Sequence, residues 1–121
     1  MDKSDPLAEL HRHPDVAGDL KSLRKFPKPD ASLESWEMLF CAKGIRGTPG
    51  IDRYPGFGER EIYKARVVPL GENMGKSSGY RLIFERLSDD SYCILVFTRH
   101  TQYKQERELQ QLIRERLEMH H

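Results

Sequence analysis

The alternation of apolar and polar positions is clearest from Ile62 to Tyr103, IYKARVVPLGENMGKSSGYRLIFERLSDDSYCILVFTRHTQY. There β-branched and aromatic residues alternate or cluster in runs of about six to eight, broken by Gly, Asn, Ser and Asp, which predicts three consecutive strands. The last of them, Tyr92 to Thr98, is apolar at both alternating sets of positions and belongs in the middle of the sheet. Pro69 to Gly79 reads as a long hairpin loop, and Ser88-Asp89-Asp90-Ser91 as a tighter turn.

Upstream the period changes. Leu7 to His13 alternates imperfectly and suggests a short strand. Pro14 and Asp15 suit the first turn of a helix whose buried side is Val16, Leu20 and Leu23, and Phe26-Pro27-Lys28-Pro29 ends it in an extended turn. Asp30 or Ser32 can cap a second helix through Lys43, with Leu33, Trp36, Leu39 and Phe40 on its apolar face and Gly44 as its stop. The two helices predict an antiparallel hairpin. The Gly- and Pro-rich stretch from Gly44 to Glu61 predicts an irregular surface loop, and its glycines match neither a phosphate-loop nor a dinucleotide pattern. Thr98 or Thr101 can cap a final helix with Tyr103, Leu109, Leu112, Ile113 and Leu117 on one side. Glu106, Arg107, Glu108, Arg114, Glu115 and Arg116 make up its other side. The expected fold class is α+β, a small antiparallel sheet with an N-terminal helical hairpin on one side and a C-terminal helix.

At 121 residues the chain suits a single domain over 1–121, with 1–6 a flexible leader and 118–121 a frayed tail. No run approaches the roughly 20 apolar residues of a membrane span and no signal-peptide core is evident, so a cytoplasmic protein without a membrane partner is expected. Cys41 and Cys93 lack metal or redox spacing and read as buried free thiols. His11 and His13, or His120 and His121, make no convincing metal site, and no cofactor is expected. Twenty Lys and Arg against 19 Asp and Glu leave a net charge of +1, which argues against indiscriminate nucleic-acid binding.

Charge distribution is more informative. Between Tyr63 and Arg81 stand Lys64, Arg66, Lys76 and Arg81 against Glu72 alone. Lys21, Arg24, Lys25 and Lys28 form a second basic run. The pleat puts Lys64 and Arg66 on one face and Tyr63, Ala65 and Val67 on the other, while Arg81 shares a face with Ile83 and Glu85. If the apolar faces pack inward, Lys64, Arg66 and Arg81 converge on one outer surface. That costs stability unless an anion or a partner's carboxylates come between them. The plain alternative is ion pairing with a neighbouring strand, Glu85 being a candidate for Lys64.

Three stretches together resemble a known family. HPDVAGDLKSL is similar to the first helix of RelE/ParE superfamily toxins. YKARVVPLGENMGKSSGYRLIFE resembles that superfamily's basic strand followed by a Gly-Lys-Ser-Ser-Gly-Tyr-Arg turn, and VFTRHTQY resembles its strand end before the last helix. The resemblance covers Leu7 to Leu117. It implies a RelE-like toxin of a type II toxin-antitoxin system, a metal-independent endoribonuclease that cuts mRNA in the ribosomal A site. A cognate antitoxin would hold it inactive.

The chemistry so implied is attack by a ribose 2′-OH on the adjacent phosphodiester, giving a 2′,3′-cyclic phosphate and a free 5′-OH. By the same resemblance Lys64 is the proton acceptor or electrostatic helper, Arg66 binds backbone phosphate, and Arg81 clamps the scissile phosphate. Arg99 and His100 fall where the family places a further catalytic basic residue. His100 is either a general acid or base or a solvated histidine. Tyr103 either stacks on an mRNA base or packs in the core, and Lys76 contacts phosphate or ribosomal RNA. The superfamily also contains gyrase-poisoning and inactive members, so the alternative is a non-catalytic binding protein that acts on a protein target such as gyrase or only pairs with an antitoxin.

Overall fold

A computed structural model describes residues 7–69, 79–99 and 105–119. The expectations placed on Lys76, His100, Thr101 and Tyr103 lie outside the described residues. Within them the chain is α+β, with β1 (Glu9–Arg12), α1 (Val16–Ser22), α2 (Pro29–Gly47), β2 (Ile51–Arg53), β3 (Glu61–Val67), β4 (Tyr80–Arg86), β5 (Ser91–Arg99) and α3 (Glu106–Met119). Among the described residues the strands form one five-stranded sheet in the order β1-β5-β4-β3-β2.

The alternation between 62 and 103 identified β3, β4 and β5, which pair antiparallel in sequence order. Two features depart from expectation. The sheet is mixed, because β1 runs parallel to β5. A parallel neighbour needs a crossover rather than a hairpin, and α1 and α2 lie within that long connection. Part of the expected surface loop is also strand: β2 pairs antiparallel with β3, placing Ile51 against Ala65 and Arg53 against Tyr63. Ile51-Asp52-Arg53 carries one apolar residue and no alternation, and is too short to stand out among glycines and prolines.

Both faces of the sheet are covered. Val16 and Leu20 of α1 and Leu33, Trp36 and Phe40 of α2 pack with Ala65, Val67, Tyr80, Leu82, Phe84 and Ile94. On the other face Leu109, Ile113 and Leu117 of α3 pack with Ile62, Ile83, Leu95 and Val96. Phe40 stands edge-on to Phe84 and Tyr92 with centroids 5.3 and 4.8 Å away, an arrangement that suits the ring quadrupoles. Ile83 faces Val96 while Phe84 faces Ile94, so Leu95 is an extra residue in β5. This bulge lets two successive side chains, Leu95 and Val96, both lie under α3.

Several helix details differ from the sequence expectation. The N-cap of α2 is Lys28, with φ 40°, rather than Asp30 or Ser32. Pro29 takes the first helical position, where its missing N–H is no loss, and Ser32 N–H reaches the Lys28 carbonyl at 2.9 Å. Gly44, with φ 75° and ψ 178°, does leave the helical conformation as expected, and after that kink a further short helical turn carries α2 to Gly47. Leu39 turns away from the core and is 39% exposed. Thr98 lies within β5 and cannot cap α3, which begins at Glu106.

Arg116 is the largest departure from the helical pattern, buried rather than on the solvent side. Its guanidinium donates to both carboxylate oxygens of Asp19 at 2.7 and 2.8 Å and to the Leu95 carbonyl at 2.7 Å. Asp19 also accepts the Phe97 N–H at 3.0 Å. β1 is paired with β5 only as far as Arg12 opposite Ile94. Beyond that point α1 and α3 supply through Asp19 and Arg116 the partners a neighbouring strand would have given. His13 joins the network: its Nδ1 accepts the Asp15 N–H at 3.0 Å, so Nε2 carries the proton and donates to the Arg116 carbonyl at 3.2 Å.

Gly79, immediately before β4, is favoured by close approach. A Cβ there would sit 3.2 Å from the Val67 carbonyl oxygen, a backbone atom that cannot easily yield. Gly79→Ala is therefore expected to cost about 1–2 kcal/mol, read as a lower urea midpoint with unchanged slope. Among the described residues no helix is long and apolar enough to cross a membrane.

Candidate functional site

The register of β3 and β4 sets Arg66 directly opposite Arg81. Lys64 stands two residues from Arg66 on the same face, and Asp52 of β2 lies opposite Lys64. Because Ala65, Val67, Tyr80 and Leu82 point into the core beneath α1 and α2, the pleat sends all three cations to the face that carries α3. They line an open cleft of about 100 Å³ together with Gly50, Asp52 and Tyr80. The structure thus brings Lys64, Arg66 and Arg81 together. Their surface is the part of the α3 face left uncovered by that helix, not a bare outer side of the sheet.

Carboxylates reach these cations from elements the strand pattern did not suggest. Arg81 Nη1 lies 3.4 Å from Oε1 of Glu106, the first residue of α3. The Tyr54 hydroxyl, from the segment after β2, donates a hydrogen bond to the other Glu106 oxygen. This Tyr54 bond, reinforced by the charges of Arg81 and Lys64, outweighs partial burial and holds the Glu106 carboxyl below its ordinary range. Burial and the neighbouring Glu106 both raise the Tyr54 hydroxyl, so it stays a protonated donor. Glu85 is not the partner of Lys64; Arg60 takes it through two bonds of 2.7 and 3.0 Å. Two like-charged guanidiniums facing each other are tolerable because Asp52 and Glu106 set two negative charges against the three positive ones.

A pH dependence follows from Glu106. Its folded pKa is depressed, so its contribution to stability is complete above the ordinary carboxylate value of 4.5 and is lost as pH falls through the lowered value. Glu106→Gln is expected to flatten the acid side of the curve of stability against pH below about 4.5 and leave the neutral side parallel to wild type. Urea midpoints collected from pH 3 to pH 7, a window of about four units around the carboxylate range, measure this.

Arg99 is not in the cleft. It lies opposite Tyr80, on the α1 and α2 face, with its guanidinium 4.1 Å above the Phe26 ring. Thr98, one residue earlier, is the position opposite Arg81. Cys93 is a buried thiol pushed up to about 11 by burial, and half-buried Cys41 is raised for the same reason. Among the described residues no group of three or more His, Cys, Asp or Glu could hold a metal ion.

The fold and cleft define a small α+β protein with a cationic depression of about 100 Å³ over β2, β3 and β4. No protein-family model, curated protein or solved structure matches the chain. Sequence reasoning missed Asp52, Tyr54 and Glu106. No local signal marks the first two, because Ile51-Asp52-Arg53-Tyr54 runs apolar, polar, polar, apolar without a two-residue period. Nothing local marks Glu106, whose role depends on where α3 begins.

Proposed function

We propose that the chain is the toxin component of a type II toxin-antitoxin system with a RelE-like fold, cutting mRNA in the ribosomal A site without a metal ion. The observation that carries this reading is Arg66 directly opposite Arg81, with Lys64 beside them in one open cleft. The element order of strand, two helices, antiparallel strands and helix is in keeping with it.

In this reading Arg81, only 17% exposed and held at the cleft wall, clamps the scissile phosphate and offsets charge developing on the phosphorane. Arg66, more exposed, binds the neighbouring backbone phosphate. Lys64 withdraws the proton from the 2′-OH, or polarises it, as that oxygen attacks phosphorus and the 5′-oxygen leaves. His100, by the family resemblance, supplies the proton to the leaving oxygen. Arg99 is left to a packing role on Phe26. The cognate antitoxin would present an acidic or amphipathic segment that covers the cations or displaces α3.

The test is the chemistry of the cut ends. Cleaved message should carry a 2′,3′-cyclic phosphate upstream and a 5′-OH downstream, and a 2′-deoxy substitution at the cut position should abolish the reaction. A 5′-phosphate end, or cutting of the deoxy-substituted message, would count against the mechanism. The contact of Glu106 with Arg81 favours a second reading, a non-catalytic protein that binds gyrase or only its antitoxin, because a catalytic clamp is more effective unpaired. Growth arrest without cut message would select it.

A further inference from the structure

Glu106 and Tyr54 form a device that neither the strand pattern nor the cation cluster explains. The Glu106 carboxylate spans two donors, Tyr54 and Arg81. Its two ends differ in freedom. Glu106 is 51% exposed, whereas Arg81, which lines the cleft, is 17% exposed. Tyr54 is 3% exposed, with its ring edge-on to Phe57 at 5.8 Å, so its hydroxyl is fixed in direction. A carboxylate oxygen and a phosphate oxygen make the same demands on such donors. If Glu106 swings out toward solvent, a buried hydroxyl and a guanidinium are left aimed at one point beside Lys64 and Arg66.

We propose that Glu106 occupies the position of a substrate phosphate oxygen in the free protein, and that Tyr54 passes from Glu106 to that phosphate when substrate enters. Tyr54 is then a binding residue of the cleft, and Glu106 sets its selectivity by competing for the same donors. A lone phosphate must displace a tethered carboxylate and is disfavoured. A polynucleotide, which adds contacts to Arg66 and Lys64 at neighbouring phosphates, overcomes the competition. This inference rests on the cleft being a phosphodiester site.

The experiment is titration of the whole chain with inorganic phosphate, followed by amide and Tyr54 side-chain NMR shifts, for wild type, Glu106→Gln, Glu106→Gln with Tyr54→Phe, and Arg81→Ala. Glu106→Gln is expected to tighten phosphate binding about tenfold, and adding Tyr54→Phe to reverse most of that gain. Arg81→Ala should abolish binding. Glu106→Ala serves as the second variant should Glu106→Gln perturb the fold. Unchanged or weaker phosphate affinity in Glu106→Gln, with Arg81→Ala still abolishing it, would overturn the exchange while leaving the phosphate cleft standing. Unchanged affinity with loss of RNA cleavage would also overturn it, making Glu106 the proton acceptor instead. Absence of phosphate binding in every folded variant would fail the cleft itself.

Discussion

Asp19→Ala is expected to lower stability by about 2–4 kcal/mol, because it leaves the buried Arg116 charge with only the half-exposed Asp15 carboxylate, 3.8 Å from its Nε, as counter-ion. Arg116 is 7% exposed and held by the Asp19 carboxylate at 2.7 and 2.8 Å. The same substitution removes the acceptor of the Phe97 N–H on the uncovered edge of β5. The loss would appear in urea unfolding as a lower midpoint at wild-type slope. Asp19→Ala combined with Arg116→Met should recover part of it, since an apolar side chain of similar length needs no counter-ion while the Phe97 N–H and the Leu95 carbonyl still lose their side-chain partners. A loss below about 1 kcal/mol for Asp19→Ala, the scale of an exposed pair, would show that the ion pair does not hold α1 and α3 to β5.

On the proposed nuclease reading, Arg81→Ala is expected to reduce message cleavage by about 10²–10³-fold, the scale for removing one preorganised donor to a developing anion. Stability should fall little, because the lost contact with Glu106 is long and the facing Arg66 loses a like-charged neighbour. Arg81→Lys should recover only part of the activity, since an ammonium keeps the charge but not the two-pronged geometry. Initial rates on a ribosome-bound message, set beside urea midpoints of the same preparations, separate the catalytic loss from any folding loss.

The strands β3, β4 and β5 and the cation cluster were legible because both depend on a short-range rule, the two-residue period of the pleat. Lys64, Arg66 and Arg81 needed only that period and the packing of Ala65, Val67 and Leu82 to end on one side. Direction and cover were not legible. The parallel β1 depends on a partner more than 80 residues away in sequence, with Glu9 against Ser91. Arg116 reads as solvent-facing from its charge alone, and only the β5 bulge and the end of β1 create the buried acceptors that draw it in. Glu106 was unreadable for the same reason, since the chain alone does not tell which strand residues its helix will end beside. Arg99 shows how narrow the margin is: one residue along β5 separates the face of Arg81 from the face of Phe26.

The measurement that tests the central claim most directly is mapping of mRNA 5′ ends on a translated message during controlled expression of wild type and of Arg81→Ala in a bacterial host. The cationic cleft as a ribosome-dependent nuclease predicts in-frame cuts that appear only while the message is translated and vanish with Arg81→Ala. Cuts that persist unchanged in Arg81→Ala, or growth arrest by wild type with no cuts at all, would contradict it.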